Sequence, residues 1–101
     1  MKEYHKLVRD RIPDIIRQGG ETPHIRVLED EEYRHHLEMK LDEEVKEFHT
    51  DKSVEELADI LEVVYALADL TGSREALLAA YQQKHDARGG FEKRIFLISK
   101  E

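Results

Sequence analysis

Four acidic residues, Glu44, Glu47, Glu56 and Asp59, stand at helical positions where apolar neighbours are expected. The segment from Asp30 to about His49 carries Tyr33, Leu37, Leu41, Val45 and Phe48 at spacings of three and four, which predicts an amphipathic helix. With Leu37 at zero and about 100 degrees per residue, Phe48, Leu41 and Val45 fall at roughly +20, +40 and +80 degrees and Tyr33 near -40. Glu44 falls at about -20, inside the stripe, and Glu47 at about -80, on its border. The next helical segment is apolar around most of its circumference, with Ile60, Val63, Leu67 and Leu70 beside Leu57, Leu61 and Val64. Glu56 projects between Val63 and Leu67, and Asp59 lies beside Leu70, whereas Glu55, Glu62 and Asp69 gather on a narrow polar strip.

A buried carboxylate takes up a proton or finds a cation, and four on two adjacent helices are not cheaply neutralised by protons alone. The i,i+3 spacing of Glu44 with Glu47, and of Glu56 with Asp59, places each pair on one face about a turn apart, able to converge on an ion. Ligands that are all oxygen favour magnesium, with manganese as a substitute, over zinc. Blander roles compete. Glu38, Asp42 and Glu62 read as solvated surface acids, with Asp42–Lys46 a pair at i,i+4. Ser53-Val54-Glu55-Glu56 also matches a capping box, which would explain Glu56 but neither Asp59 nor the preceding helix. Glu32 and His35 supply one copy of the spacing used by di-iron bundles; the second copy is missing, since Thr50 and Asp59 follow Glu47 and Glu56 at that interval. Neither a P-loop nor a dinucleotide-binding glycine motif is present, so basic side chains must cradle any phosphates. The candidates are Lys6, Arg9, Lys84, Arg88 and Arg94, with Lys93 beside them at the C-terminal end.

The elements that position these residues follow from punctuation in the chain. A short helix is expected over Leu7–Ile16, with Asp10 as N-cap and Pro13 in its first turn, ended by Gly19-Gly20. Residues 21–29 form an extended or irregular connector, with Pro23 and β-branched residues disfavouring helix. After the Asp30–His49 helix, Thr50-Asp51-Lys52-Ser53 makes a polar turn. A third helix then runs from about Val54 to Leu70, closed by Gly72 and antiparallel to the second because the turn is short. Ser73 caps a fourth helix, roughly Arg74 to Ala87, stopped by Gly89-Gly90. The apolar run Ile95-Phe96-Leu97-Ile98 reads as a strand or a packed extension, and periodicity does not separate the two.

At 101 residues the chain fits one domain, spanning 1–101, with a thin core. A net charge of -7 disfavours DNA or RNA polymers as partners, while a metal held by carboxylates can still receive a small phosphorylated substrate. With no cysteine, disulfides, zinc-thiolate sites and a cysteine nucleophile are excluded. The N-terminal residues lack a secretory signal and no segment is suited to span a bilayer, so no membrane partner and a cytoplasmic location are expected. The apolar girth of the third helix points to a homo-oligomer.

Glu43-Glu44-Val45-Lys46-Glu47 followed by Glu56-Leu57-Ala58-Asp59 resembles the Glu-Glu-x-x-Glu and Glu-x-x-Asp signature of MazG-like nucleotide pyrophosphohydrolases, relatives of phosphoribosyl-ATP pyrophosphohydrolase and the dimeric dUTPases. Lys6 to Pro13, and Lys84 to Arg94 with Arg88-Gly89-Gly90-Phe91, are similar to a small-protein branch of that group. The resemblance implies an all-α, antiparallel four-helix bundle with short extended segments at the connector and C-terminal tail, assembled as a homodimer or homotetramer. It further implies magnesium bound by Glu44, Glu47, Glu56 and Asp59, with Glu43 as an additional acid. The implied reaction is cleavage of a nucleoside triphosphate between the α and β phosphates, giving a nucleoside monophosphate and pyrophosphate, in nucleotide-pool house-cleaning. Lys84, Arg88 and Arg94 would neutralise the leaving pyrophosphate, and Lys6 and Arg9 would close the site from the N-terminal arm. Two alternatives stand beside this: hydrolysis of phosphoribosyl-ATP, and a non-catalytic helical oligomerisation module.

Overall fold

The computed structural model describes residues 2–101, and those residues form four helices and no strand. They are α1 (Ile12–Gln18), α2 (Asp30–Asp51), α3 (Val54–Thr71) and α4 (Arg74–Arg88). The all-α expectation is met. None of these helices is long and apolar enough to cross a membrane.

Local chemistry accounts for the boundaries. Pro13 sits in the first turn of α1, where its missing N–H costs nothing, but the helix starts later than Leu7 and runs on to Gln18. Arg11, not Asp10, occupies the N-cap, and no side chain caps the helix. α2 continues to Asp51, so the turn shrinks to Lys52 and Ser53; Lys52 absorbs the reversal in the left-handed region at φ 53°. Ser53 Oγ accepts from the Glu56 N–H at 3.4 Å, and Ser73 Oγ accepts from the Ala76 N–H at 3.0 Å, capping α3 and α4.

The two-residue link folds α3 back along α2. Arg34 Nη2, near the start of α2, donates to the Leu70 carbonyl at the end of α3 at 3.1 Å, so the pair forms a helical hairpin. The core lies between them. Leu37, only 3% exposed, and Val63 are its buried apolar residues. α4 leans on α3 alone, and α1 packs on no other helix. Arg74 lies over the Tyr65 ring at 3.9 Å, fixing where α4 leaves α3.

Of the flanking segments, the connector over 21–29 is irregular, as expected, and Arg26 ties it to α2 through a two-point ion pair with Glu32, at 2.9 and 2.6 Å. The tail is neither strand nor packed extension, because every residue from Ile95 to Ile98 is exposed. Its apolar side chains have no surface of their own chain to cover.

A carboxylate cluster as the candidate functional site

α2 and α3 present their acids to each other because the hairpin brings the C-terminal half of α2 beside the start of α3. Carboxylate oxygens of Glu44, Glu56 and Asp59 lie within 4.8 Å of one another, and so do those of Glu43, Glu44 and Glu47. Glu44 belongs to both groups, and it is buried, with 6% of its surface exposed. Glu56 and Asp59 are half-buried, while Glu43 and Glu47 are exposed. The stripe position of Glu44 thus translates into burial; the border position of Glu47 leaves it at the mouth.

Burial and crowding shape the electrostatics. Burial first, then the neighbouring Glu47 charge, pushes the Glu44 carboxyl above its ordinary range, with Lys40 pulling against this at 3.6 Å. Glu56 rises from an ordinary 4.5 to about 7, through burial, then the charge of Glu47, then Asp51 and Asp59. Glu44 Oε2 and Glu56 Oε2 are both buried and have no hydrogen-bond partner. Ser53 binds only the backbone of Glu56, so the capping box is half formed and leaves that carboxylate free for another role.

Two cations border the cluster. Lys40 Nζ lies 3.4 Å from Glu43 and 3.6 Å from Glu44, one turn earlier on α2. Its spacing to Glu44 is the signal by which the sequence could have shown it. Arg9, from the segment before α1, donates to Asp59 at 2.6 Å and to Glu62 at 3.3 Å. That contact across 50 residues brings the N-terminal arm to the site, though Glu62 is a partner in an ion pair and not just a solvated acid.

The other proposed phosphate ligands stand apart. Lys6 lies over the Tyr4 ring at 5.7 Å. Lys84, Arg88 and Arg94 are exposed, and among the described residues none pairs with an acid of the cluster. Arg88 and Arg94 instead line a groove with His85 and Phe91 at the C-terminal end. The expected Asp42–Lys46 pair does not form either. His35 and His36 stack edge to face on the surface of α2, away from any three-ligand group among the described residues.

An all-oxygen donor set with two unpartnered buried oxygens fits a hard divalent cation. No family model matches the chain. No solved structure matches it either. An uncharacterized protein of Mycolicibacterium smegmatis is 62% identical over 42 residues, which cover 42% of this chain and 43% of that protein. The chain therefore spans less than half the length of this relative.

Proposed function

We propose that this chain is a magnesium-dependent nucleotide pyrophosphohydrolase of the MazG type, cleaving a nucleoside triphosphate between the α and β phosphates. One observation carries the reading: Glu44 and Glu56 each leave a buried carboxylate oxygen without a partner, in a cluster where Asp59 also offers an oxygen within 4.8 Å. Such a group is stable with a proton or a cation, and crowding by Glu47 makes the cation the better counter-charge near neutral pH.

Glu44, Glu56 and Asp59 would hold the ion, with Glu47 as the further ligand grouped with Glu44. When bound, magnesium or manganese neutralises triphosphate oxygens and acidifies water, the chemistry that hydrolysis at the α phosphorus requires. Glu43, exposed and tethered to Lys40, takes the proton from attacking water. Arg9 holds Asp59 and is placed to meet an incoming phosphate. Lys6 closes the site with Arg9 from the N-terminal arm, and Lys84, Arg88 and Arg94 supply the positive charge for the departing pyrophosphate. On this reading the α2–α3 pair belongs to an antiparallel four-helix bundle, and the protein acts in the cytoplasm on small nucleotides.

The test is pyrophosphate release from a panel of ordinary and damaged nucleoside triphosphates and phosphoribosyl-ATP, with and without magnesium. Release that requires magnesium and disappears in Glu56→Gln supports the reading. Exclusive turnover of phosphoribosyl-ATP would move the assignment to histidine synthesis, and no release from any compound would leave a helical interaction module.

A further inference from the structure

Lys40 precedes Glu43 and Glu44 by three and four residues on α2, so the three share one helix face, with Glu47 a turn beyond Glu44. A lysine is among the residues least often covered unless it is paired, and only 21% of the Lys40 side chain is exposed. Its Nζ lies 3.4 Å from Glu43 Oε1 and 3.6 Å from Glu44 Oε1. Lys46 and Lys52, on the same stretch of chain, behave differently: both are exposed, and neither pairs with an acid among the described residues. The ammonium of Lys40 is therefore held at the cluster by the acids themselves.

Glu44 divides its two oxygens. Oε1 pairs with Lys40, whereas Oε2 is buried without a partner, in a residue only 6% exposed. The carboxylates make two groups that meet at Glu44, one with Glu56 and Asp59 and the other with Glu43 and Glu47. The first group contains a second unpartnered buried oxygen, on Glu56. In the second group Glu43 and Glu44 already face a positive charge, that of Lys40. The two groups thus differ in what they lack: the first still needs a cation, and the second has one.

Charge counting agrees. The five carboxylates of the two groups meet Lys40 on one side and Arg9, 2.6 Å from Asp59, on the other. One divalent ion leaves these groups with a single negative charge, whereas a second would make them net positive. Two such ions on the shared Glu44 would also repel each other across a partly buried site, where water screens poorly. We propose that Lys40 is a built-in counter-ion that limits the cluster to one divalent ion, its ammonium taking beside Glu43 and Glu44 the place that a second ion would need. This inference rests on the metal-dependent reading of the cluster and adds to it which of the two groups is loaded. Glu43 is thereby kept off the metal and left to accept the proton of attacking water, so Lys40 acts as a positioning residue for that base.

The test counts ions and needs no turnover. Manganese alone is the probe, because the free ion gives a strong electron paramagnetic resonance signal that bound ions lose. The full chain, titrated to about 1 mM manganese, should take up one ion per chain. Lys40→Met keeps the length and apolar stem of the side chain without its charge, and should take up two, seen as a spin-coupled pair through the shared Glu44. Lys40→Gln should do the same, and Lys40→Arg should stay at one. Adding Glu43→Gln to Lys40→Met should return the count to one, since Glu43 belongs to the second group alone. A merely structural lysine would lower helical circular dichroism or melting temperature in these variants without changing the count. Two ions in the wild type, or one in both Lys40→Met and Lys40→Gln, would overturn the proposal and leave the metal-dependent reading in place. No uptake by the wild type would sink that reading, and the proposal with it.

Discussion

Glu44 and Glu56 both face the charges of Glu47 and Asp59 with one oxygen apiece unpaired and buried, so in the ion-free protein ionisation works against the fold. The sign follows from proton binding. Glu56, ordinarily near 4.5, is raised to about 7, so the native state binds the proton more tightly than the unfolded chain does. Its contribution is fully present below about pH 4.5 and is lost as pH rises through 7; Glu44 shifts in the same direction. Thermal melts in chelator should therefore show the melting temperature falling between pH 5 and 8 in the wild type and much less in Glu56→Gln. A divalent ion must displace that proton, so magnesium affinity measured by calorimetry should rise over the same interval. Glu44→Gln should lower turnover by more than about 100-fold and abolish magnesium uptake, yet leave the ion-free protein at pH 8 as stable as the wild type or more so. A large loss of stability in that variant would mark Glu44 as a structural group. Arg9 is a weaker anchor, because its partners Asp59 and Glu62 are accessible to water. Arg9→Ala should change stability by less than about 1 kcal/mol in urea unfolding while raising KM for the nucleotide.

Among the elements, the serine caps offer a comparison. Ser73 binds the Ala76 N–H at 3.0 Å and Ser53 binds the Glu56 N–H at 3.4 Å. Alanine at position 73 should cost about 1 kcal/mol and at position 53 rather less, measured as shifts in the urea midpoint. Both caps were legible in the sequence because a serine precedes each helical period, and the order of the helices and the glycine stops after α3 and α4 were legible for the same local reason. The burial of Glu44 also followed from angle alone, since the stripe that packs on α3 carries it inward. Contacts between distant segments left no such mark. No periodicity links Arg9 to Asp59, whereas Lys40, three and four residues before Glu43 and Glu44 on the same helix, was open to a reading by spacing. The start of α1 was misplaced because Asp10 has the composition of a cap without capping anything: the helix begins beyond Arg11, whose backbone closes the turn. For the tail, the sequence leaves strand and packed extension open, and neither forms within one copy. An apolar run implies a covering surface, and nothing in sequence says whether that surface belongs to the same chain.

At the scale of the whole molecule, a hairpin whose buried apolar residues are Leu37 and Val63, with the rest half-buried or exposed, supplies little of the apolar burial that ordering 101 residues requires. Hydrophobic stabilisation grows with area removed from water, and in one copy most of the large apolar groups of α4 and the tail stay wet. If a second copy removes them from water, folding and association are one equilibrium, and stability depends on concentration by mass action. The melting temperature in magnesium-free buffer should then climb with each tenfold increase in chain concentration. A chain ending at Gly90, which lacks Phe91 and Ile95–Ile98, should melt lower with a shallower dependence. Scanning calorimetry across two decades of concentration checks this without reference to catalysis. A sharp transition at a fixed temperature over that range would mean that one copy folds unaided, and the exposed tail would then owe its order to α4 alone.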